Sequence, residues 1–309
     1  MQVAIEQKFK LPSPCASAKA PCSAVALQRR VSTRGWRGAG GEVSNTAMVI
    51  FALRFNVITL PNFPNNNLNK AMKTDLLAIG AHPDDVELSA GGTIALHVKA
   101  GKVVGIIDLT RGELGTRGNA DLRDQESKEA SGILGIAFRE NLKMKDGLFE
   151  NDEQHLLKII EKIRLYQPEV VICNAVTDRH PDHGRASTIV SRACFLSGLR
   201  KINTQFNNKA QELWRPKAVY HYIQDRHIQP DFIIDISRFM DVKMAAIKAY
   251  SSQFYDPDSK EPETPISGKG FLEFLYGRAV EMGRMIDVAY GEGFTVERSI
   301  GLKSIFDIS

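Results

Sequence analysis

Two short polar segments of the sequence contain residue types that bind metal ions and transfer protons. The first is Ala81-His82-Pro83-Asp84-Asp85-Val86-Glu87, and the second is Asp178-Arg179-His180-Pro181-Asp182-His183. Together they hold three of the seven histidines in a chain of 309 residues. Imidazole nitrogen and carboxylate oxygen are both ligands of zinc. The recurrence of His, Pro and Asp in both segments favours a metal site over two unrelated surface loops.

The acidic residues of the first segment have a simpler alternative explanation. Asp is a common cap at the beginning of a helix, where its carboxylate accepts backbone N–H groups and complements the helix dipole. A cap needs only one carboxylate, whereas Asp84 and Asp85 stand side by side after a histidine. A metal site is therefore the better hypothesis for the two segments together.

The chemistry of a catalytic zinc ion suggests a role for each polar residue. Such an ion has three protein ligands and an open position for water, whose pKa it lowers to about 7. The two segments can supply three such ligands, namely His82, Asp85 and His183. Asp84 then remains free to accept a proton, and His180 could stabilise an oxyanion or protonate a leaving amine. Asp182 could hold an imidazole in its working tautomer, and spacing alone does not decide whether His180 or His183 is the ligand.

The remaining sequence predicts the elements that position these segments. From residue 75 onward, short apolar runs alternate with stretches of helical length, which indicates βαβ units and a mostly parallel sheet. The predicted strands are residues 76–81, 103–109, 141–144, 170–173, 218–223 and 232–236. The predicted helices are residues 86–100, 122–134, 152–166, 184–198, 240–254 and 271–289. We therefore expect a single doubly wound α/β domain with helices on both faces and the site at the carboxyl ends of the strands.

The two motifs, in this order, resemble those of the LmbE/PIG-L de-N-acetylases. The resemblance covers approximately residues 74–294 and implies a Rossmann-like fold. It also implies a zinc-dependent enzyme that removes an acetyl group from the amino nitrogen of a glucosamine derivative. Carried over by position, it implies one zinc ion per chain bound by three residues, His82, Asp85 and His183. Asp84 would be the general base, and His180 would stabilise the transition state.

Within this family, the sequence is similar to the bacillithiol-pathway deacetylases that act on N-acetylglucosaminyl malate. Further segments carry this resemblance, namely Asp108-Leu109-Thr110, Asp235-Ile236-Ser237 and Ala249-Tyr250-Ser251-Ser252-Gln253-Phe254. One departure is that a related enzyme has a Tyr after a Gly near the metal, where this chain reads Gly270-Phe271. Alternative substrates are another N-acetyl sugar or a thiol-conjugate amide. A non-catalytic metal protein on the same fold is a further alternative, but it would leave Asp84 without a role.

Three arginines are candidates for substrate binding. Arg111 and Arg117 lie in a glycine-containing loop after the second strand, and glycine lets a backbone approach a ligand. Arg123 begins the next helix and matches a family position that faces the substrate. Because guanidinium binds carboxylates in bidentate geometry, Arg123 could pair with a malate aglycone. The alternatives are a solvated turn and a surface ion pair with Asp124 or Glu126.

The charge is unevenly distributed and gives no support for nucleic-acid binding. Residues 1–71 hold nine Lys/Arg and two Asp/Glu, whereas residues 72–309 hold 31 basic and 34 acidic residues. The basic balance of the chain therefore comes from the first 71 residues. They show no sustained periodicity, so we expect an N-terminal extension outside a deacetylase domain of residues 72–309. This extension is either a transit peptide or an upstream segment that precedes the start at Met72.

The remaining predictions concern the surroundings of the protein. The longest apolar stretch, residues 48–60, is shorter than the roughly 20 residues of a membrane helix, so no membrane span is expected. The four cysteines show no pairing framework, which favours a reducing compartment, and we expect a cytoplasmic protein. The expected partner is a small amino-sugar substrate. We also expect a homo-oligomer, because the Met and aromatic residues of 271–290 suit either a core or a subunit contact.

Overall fold

A seven-stranded sheet lies at the centre of the structure, a computed structural model that describes residues 73–307. Its strands are β1 (Leu76–Gly80), β2 (Val104–Thr110), β3 (Phe138–Met144), β4 (Val170–Cys173), β7 (Ala218–Tyr222), β8 (Phe232–Asp235) and β9 (Gly291–Val296). They follow the order β3-β2-β1-β4-β7-β9-β8. The first five are parallel, and β9 runs antiparallel to β7 and β8. A separate small hairpin pairs β5 (Gln205–Phe206) with β6 (Lys209–Ala210).

Helices cover both faces of the sheet. They are α1 (Asp85–Lys99), α2 (Ala120–Leu134), α3 (Glu153–Tyr166), α4 (Pro181–Leu196), α5 (Met240–Lys248) and α6 (Lys269–Arg284). Apolar side chains of α1, α2, α5 and α6 form one core with the sheet, and those of α3 and α4 form the other. Strand β1 contributes alternate residues to the two cores, Leu76 and Ala78 to the first and Leu77 and Ile79 to the second. The expected α/β domain with helices on both faces is confirmed.

The chain changes direction across the sheet at β1. Strands β2 and β3 lie on one side of β1, whereas β4 and β7 lie on the other. The carboxyl ends of β1 and β4 are neighbours, because Ile79 pairs with Cys173. Ligands of doubly wound sheets bind in the crevice at such a switch point. Both polar motifs begin shortly after these two strands.

The middle of α1 is held by residues from the far end of the chain. The Glu292 carboxylate of β9 accepts the backbone N–H groups of Gly92 at 3.0 Å and Thr93 at 2.7 Å. Lys243 of α5 pairs with the same carboxylate at 2.6 Å. A side chain at Gly92 would lie 2.7 Å from Ile236, so the glycine here permits close packing of the helix.

Several element boundaries differ from the sequence prediction; for example, α4 begins at Pro181 rather than at residue 184, and α6 ends at Arg284 rather than at residue 289. Two further boundaries and one missed strand have identifiable physical reasons. Strand β3 begins at Phe138 rather than at residue 141, because its edge position leaves polar residues half-buried. Helix α5 ends at Lys248 rather than at residue 254, because the Glu126 carboxylate accepts the backbone N–H and the hydroxyl of Ser252. Strand β9 was not predicted, because its Gly-Glu-Gly start has the composition of a turn.

Other predictions are only partly covered by the described residues. The predicted N-terminal extension, residues 1–71, lies outside them, as does Met72. Cys173 and Cys194 are free and buried. Among the helices of residues 73–307, none combines the length and the apolar character needed to cross a bilayer.

Candidate active site

Two strand ends and two helix beginnings bring the predicted site residues together. His82 follows β1, and Asp85 is the first residue of α1. The second motif starts α4, with His180 at the cap position and His183 in the first turn. The ring centroids of His82 and His183 are 5.6 Å apart, and those of His82 and His180 are 4.7 Å apart. The two motifs therefore form one cluster.

Neighbouring carboxylates orient the His82 and His183 imidazoles. Asp146 accepts a hydrogen bond from Nε2 of His82 at 2.9 Å. Asp178 accepts a hydrogen bond from Nδ1 of His183 at 2.5 Å. A carboxylate acceptor requires the proton on the imidazole nitrogen that faces it. The other nitrogen of each ring, Nδ1 of His82 and Nε2 of His183, faces Asp85 and becomes available to a metal ion when it carries no proton.

These two nitrogen atoms converge on Asp85. Nε2 of His183 lies 3.1 Å from Oδ1 of Asp85, and Nδ1 of His82 lies 3.6 Å from Oδ2. Burial opposes ionisation of Asp85, but His183 and His82 hold the pKa of its carboxyl well below its usual range. Burial likewise opposes protonation of His183, but Asp85 and Asp178 raise its pKa to about 9. A positive charge among the three groups is stabilised, and this donor set fits a divalent metal ion.

Two groups of three residues bring one ligand atom each within 4.8 Å of one another, and Asp85 belongs to neither group. Nitrogen atoms of His82, His180 and His183 lie within 4.8 Å of one another, and the same holds for ligand atoms of His82, Asp146 and Asp182. Two amide side chains restrain Asp85 further, because Asn174 donates to Oδ2 at 2.9 Å and Gln224 donates to Oδ1 at 3.1 Å. The residues described here thus contain a His/Asp cluster that could hold a metal ion.

Asp84 occupies an unusual backbone position beside this cluster. Its φ is 107° and its ψ is −27°, which places a non-glycine residue in the left-handed region. It precedes α1, but its side chain makes no capping hydrogen bond. The Oδ2 atom lies 3.6 Å from Nη2 of Arg123. Burial raises the pKa of Asp84 to about 7, against the lowering effect of Arg123.

The contacts of His180 and Asp182 agree only partly with the roles suggested by the sequence. Nδ1 of His180 accepts the backbone N–H of Asp182 at 3.3 Å, so the Nε2 atom of the neutral ring carries the proton. Burial, with help from His82 and His183, lowers the pKa of His180 and favours this neutral form. The Asp182 carboxylate lies 3.4 Å from Nε2 of His82, so it restrains that imidazole.

A cavity of about 400 Å³ opens onto the cluster. Its wall contains four of the predicted site residues besides Asp85, namely His82, Asp84, His180 and His183. Arg123 also lines it and donates to Gln253. Arg111 does not line the cavity, because its guanidinium pairs with Asp121 and Asp124 at 2.6 Å. Arg117 does not line it either and donates to the carbonyl of Phe254 and to Ser259.

Sequence reasoning did not assign roles to Asp146 and Asp178. Asp178 is the first residue of the second motif, so its place beside the histidines was a usable signal. Its other oxygen accepts the backbone N–H groups of Asp225 and Arg226, which fixes the carboxylate. Asp146 stands in the Asp146-Gly147 turn after β3, and only the parallel arrangement of β3 brings it to the site.

The glutamate of the first motif has a supporting position. Glu87 is fully buried, and its Oε1 atom accepts hydrogen bonds from Arg139 at 2.5 Å and from the Tyr250 hydroxyl at 3.1 Å. Arg139 also pairs with Asp108 of β2 at 2.7 Å. This buried network ties α1 to β2, β3 and the segment after α5, so it holds the helix that carries Asp85.

Comparison with known proteins identifies the family. The PIG-L family model, described as GlcNAc-PI de-N-acetylase, matches residues 77–194, which include both motifs. The solved structure of a conserved protein from Thermus thermophilus, TT1542, is 35% identical. It superposes with a TM-score of 0.66, and the alignment covers 75% of this chain and 98% of that one. The chain belongs to the PIG-L family.

The names of curated relatives indicate which reactions are assigned to similar proteins. Diacetylchitobiose deacetylase from Thermococcus kodakarensis is 29% identical over 75% of this chain and 84% of its own length. A probable N-acetyl-alpha-D-glucosaminyl L-malate deacetylase 2 from Bacillus subtilis is 28% identical over 59% and 84%. A 4-oxalmesaconate hydratase from Pseudomonas putida is 26% identical over 78% and 92%. The expectation of a hydrolytic enzyme for N-acetyl amides is confirmed at the level of the PIG-L family.

Proposed function

We propose that this PIG-L protein is a zinc-dependent deacetylase that hydrolyses the acetamide of an N-acetylglucosaminide to the free amine and acetate. The convergence of the His82 and His183 ring nitrogens on Asp85, next to buried Asp84, carries this proposal. The deacetylase names of two relatives support the reaction class. The amino-sugar substrate follows from the same names.

The proposed metal ligands are His82, Asp85 and His183. When bound there, a zinc ion would polarise the acyl oxygen and increase the acidity of a water molecule. The nitrogen and oxygen donors suit zinc and also other first-row divalent ions. Asp146 and Asp178 would keep both imidazoles in the tautomers that direct lone pairs towards the ion.

Asp84 and His180 are the proposed proton-transfer residues. The Asp84 carboxylate lines the cavity and makes no capping bond, so it can accept a proton from the attacking water. The water oxygen then bonds to the acyl carbon, and Nε2–H of His180 can donate to the oxygen that becomes negative. When the C–N bond breaks, the amine nitrogen takes the proton held by Asp84, and acetate leaves. Asp182 would restrain His82 during these steps.

The substrate that we propose is N-acetylglucosaminyl malate, as in the thiol biosynthesis that yields bacillithiol. A relative named for this deacetylation supports the choice. The sequence suggests Arg123 as the partner of a malate aglycone. We instead propose that it contacts the sugar end of the substrate, because its guanidinium lies on the cavity wall 3.6 Å from Asp84. We do not propose Arg111 and Arg117 as substrate contacts, because their guanidinium groups already bind other residues of the protein.

Acetate release from a panel of substrates tests the proposal. Liquid chromatography would follow N-acetylglucosaminyl malate, N,N'-diacetylchitobiose, simple N-acetylglucosamine and a thiol-conjugate amide, with purified zinc-loaded enzyme. We expect acetate and free amine from the malyl glycoside, and loss of both products in His183→Ala. 4-Oxalmesaconate tests hydration in parallel, because the hydratase relative is named for hydration of that acid. Hydration of that acid without acetate release from any amide would overturn the proposal.

A further inference from the structure

Arg278 of α6 is a cation on the cavity wall without a carboxylate partner. Its Nη2 atom donates to the backbone carbonyl of Leu88 at 3.0 Å, and its guanidinium lies 5.3 Å from the Phe274 ring centroid. Among residues 73–307, no carboxylate oxygen lies within 4.0 Å of its nitrogen atoms. Guanidinium remains protonated in proteins, so the positive charge persists.

The other two arginines of the cavity wall do have acidic partners. Arg123 lies 3.6 Å from Asp84, and Arg179 lies 2.9 Å from Asp225. Their charges are therefore largely compensated within the protein. Arg278 is the arginine of this wall whose charge is left for a ligand.

A buried hydroxyl lies on the same part of the wall. Ser89 of α1 lines the cavity together with Arg278, and its Oγ atom has no hydrogen-bond partner among the described residues. Ser89 is only 3% exposed. It directly follows Leu88, whose carbonyl Arg278 contacts, and Ser89 and Arg278 also line a second, smaller pocket together. A buried hydroxyl without a partner is costly, which is an independent indication of a polar ligand group.

Apolar side chains surround this pair. Ile266, Phe271 and Leu275 line the cavity next to Arg278, and Leu88 lines it on the α1 side. Among the described residues, the wall thus combines hydrocarbon surface with one cation that has no carboxylate partner and two hydroxyls without hydrogen-bond partners, those of Ser89 and Thr264. An aglycone with a short hydrocarbon part and an anionic end would match both features.

We propose that Arg278 and Ser89 form the receptor for an anionic group, a carboxylate or a phosphate, on the aglycone of the substrate. This inference rests on the proposed deacetylase function and adds the residues that select the aglycone. The contact to Leu88 uses one N–H group of five that a guanidinium offers, so donors remain for the ligand. Arg123 is then available to contact Asp84 and the sugar end of the substrate.

Matched glycosides separate recognition of the anion from the chemistry. The probes are N-acetylglucosaminides with a carboxymethyl aglycone, with its neutral carboxamide analogue, and N-acetylglucosamine 1-phosphate. The variants are Arg278→Gln, Arg278→Lys and Ser89→Ala, with exposed Arg284→Gln on the same helix as the control. The assay measures kcat and KM for acetate release, and thermal unfolding checks that each variant folds.

We expect the wild type to have a higher kcat/KM for an anionic glycoside than for the neutral one. Whichever of the carboxymethyl glycoside and the 1-phosphate has the higher kcat/KM identifies the preferred anion. Arg278→Gln should lower kcat/KM for that glycoside by about 10- to 100-fold, mainly through KM, because a hydrogen bond to a charged group is worth about 1.5–3 kcal/mol. Ser89→Ala should lower the same kcat/KM by about 3- to 10-fold. Arg278→Lys should retain part of the preference for the anionic glycoside, and Arg284→Gln should leave kcat/KM unchanged. The neutral glycoside should be hydrolysed at similar rates by all of them.

Two results would overturn the inference, and they differ from failure of the proposed function. Equal kcat/KM for anionic and neutral glycosides in the wild type would show that the cavity has no anion receptor. Equal losses on both glycosides in Arg278→Gln would assign Arg278 to the support of α1 through Leu88. Failure of the wild type to deacetylate any glycoside would instead reject the proposed function, together with the inference that rests on it.

Discussion

The backbone of Asp84 is held in a conformation that few non-glycine residues adopt. A positive φ of this kind costs on the order of 1–3 kcal/mol and persists where the surroundings impose it. The capping alternative would explain the position, but the side chain makes no capping hydrogen bond. The carboxylate instead lines the cavity between Asp85 and Arg123. The strain therefore occurs at the carboxylate that we propose as the proton acceptor.

Asp84→Asn tests the proton-transfer role. Asn has nearly the same shape and tolerates a positive φ, so the fold and metal binding should remain intact. The amide cannot accept the proton, and kcat should fall by about 10²–10⁴. Steady-state kinetics measures kcat, and metal analysis of the same sample measures the metal occupancy. Wild-type turnover at full metal occupancy would show that another group accepts the proton.

Asp178→Asn tests the support of the His183 imidazole. The amide no longer favours a proton on Nδ1, so the Nε2 lone pair is less available and zinc affinity should fall by about 10- to 100-fold. Competition with a chromophoric chelator measures the affinity. The control is Asp152→Asn, which changes an Asp–His contact of 2.9 Å on the protein surface. Unchanged affinity in both variants would leave Asp178 with a purely structural role in the following loop.

At the residue scale, the sequence predicted most site residues of the two motifs, although it gave Asp178 no role, and it missed those that come from other parts of the chain. The His82, Asp84, Asp85 and His183 positions could be predicted because each motif follows its own strand. Asp146 and Arg278 could not, because their approach depends on how β3 and α6 pack against the rest of the domain. Nothing in their local sequence distinguishes them from surface residues.

Strand β9 shows why one element was not predicted. Its glycines are required by close packing, since a side chain at Gly291 would lie 2.9 Å from the backbone nitrogen of Gly283. A strand with two glycines and a glutamate has the composition of a turn, so only tertiary contacts reveal it. The buried strands β1, β2 and β4 were predicted because their runs are largely apolar, with Asp108 of β2 as the one charged residue.

Glu292→Gln tests the contribution of β9 to stability. The substitution leaves Lys243 buried without its carboxylate partner and weakens the bonds to Gly92 and Thr93. Loss of one partner of a buried pair costs on the order of 3 kcal/mol. Urea unfolding measures the change, with exposed Glu273→Gln on α6 as the control. A loss no larger than in the control would mean that the pair adds little to the fold.

Across the whole molecule, His221 connects the sheet to α4 and to the segment after β9. Its Nδ1 atom donates to the carbonyl of Asn174 at 2.9 Å, and its Nε2 atom pairs with Glu297 at 3.0 Å. Burial would lower the pKa of His221, but Cys173, Glu297 and the Asn174 carbonyl raise it to about 11. Both ring nitrogens are donors, so this imidazole is a cation rather than a general base.

The His221 cation predicts a pH dependence of stability. Its pKa is raised in the folded state, so its stabilising contribution is complete below about pH 6.5 and declines as the pH rises towards 11. The slope is at most about 1.4 kcal/mol per pH unit, and solvent at Glu297 reduces it. The free energy of unfolding of the wild type should therefore fall more steeply between pH 7 and 9 than that of Glu297→Gln. Parallel curves for the two proteins would contradict this assignment.

The homo-oligomer stays a prediction at the scale of the molecule. Helix α6 contributes Leu275, Ala279 and Met282 to the core, whereas Phe274 and Val280 are exposed. The sequence argument left both a core and a subunit contact open, and the helix contains residues suited to each. Sedimentation of the full-length protein measures the oligomeric state directly.

The support of α1 by Glu292 also determines when the protein can become active. Glu292 lies 200 residues after Gly92, and a ribosome adds about 5–20 residues per second, so roughly 10–40 s separate their synthesis. During that interval the nascent chain contains both metal-binding motifs, but Lys243 and the middle of α1 still lack their carboxylate. Closing so long a loop also slows folding. We expect the catalytic machinery to form only after β9 has left the ribosome, so that an incomplete chain does not act on substrate.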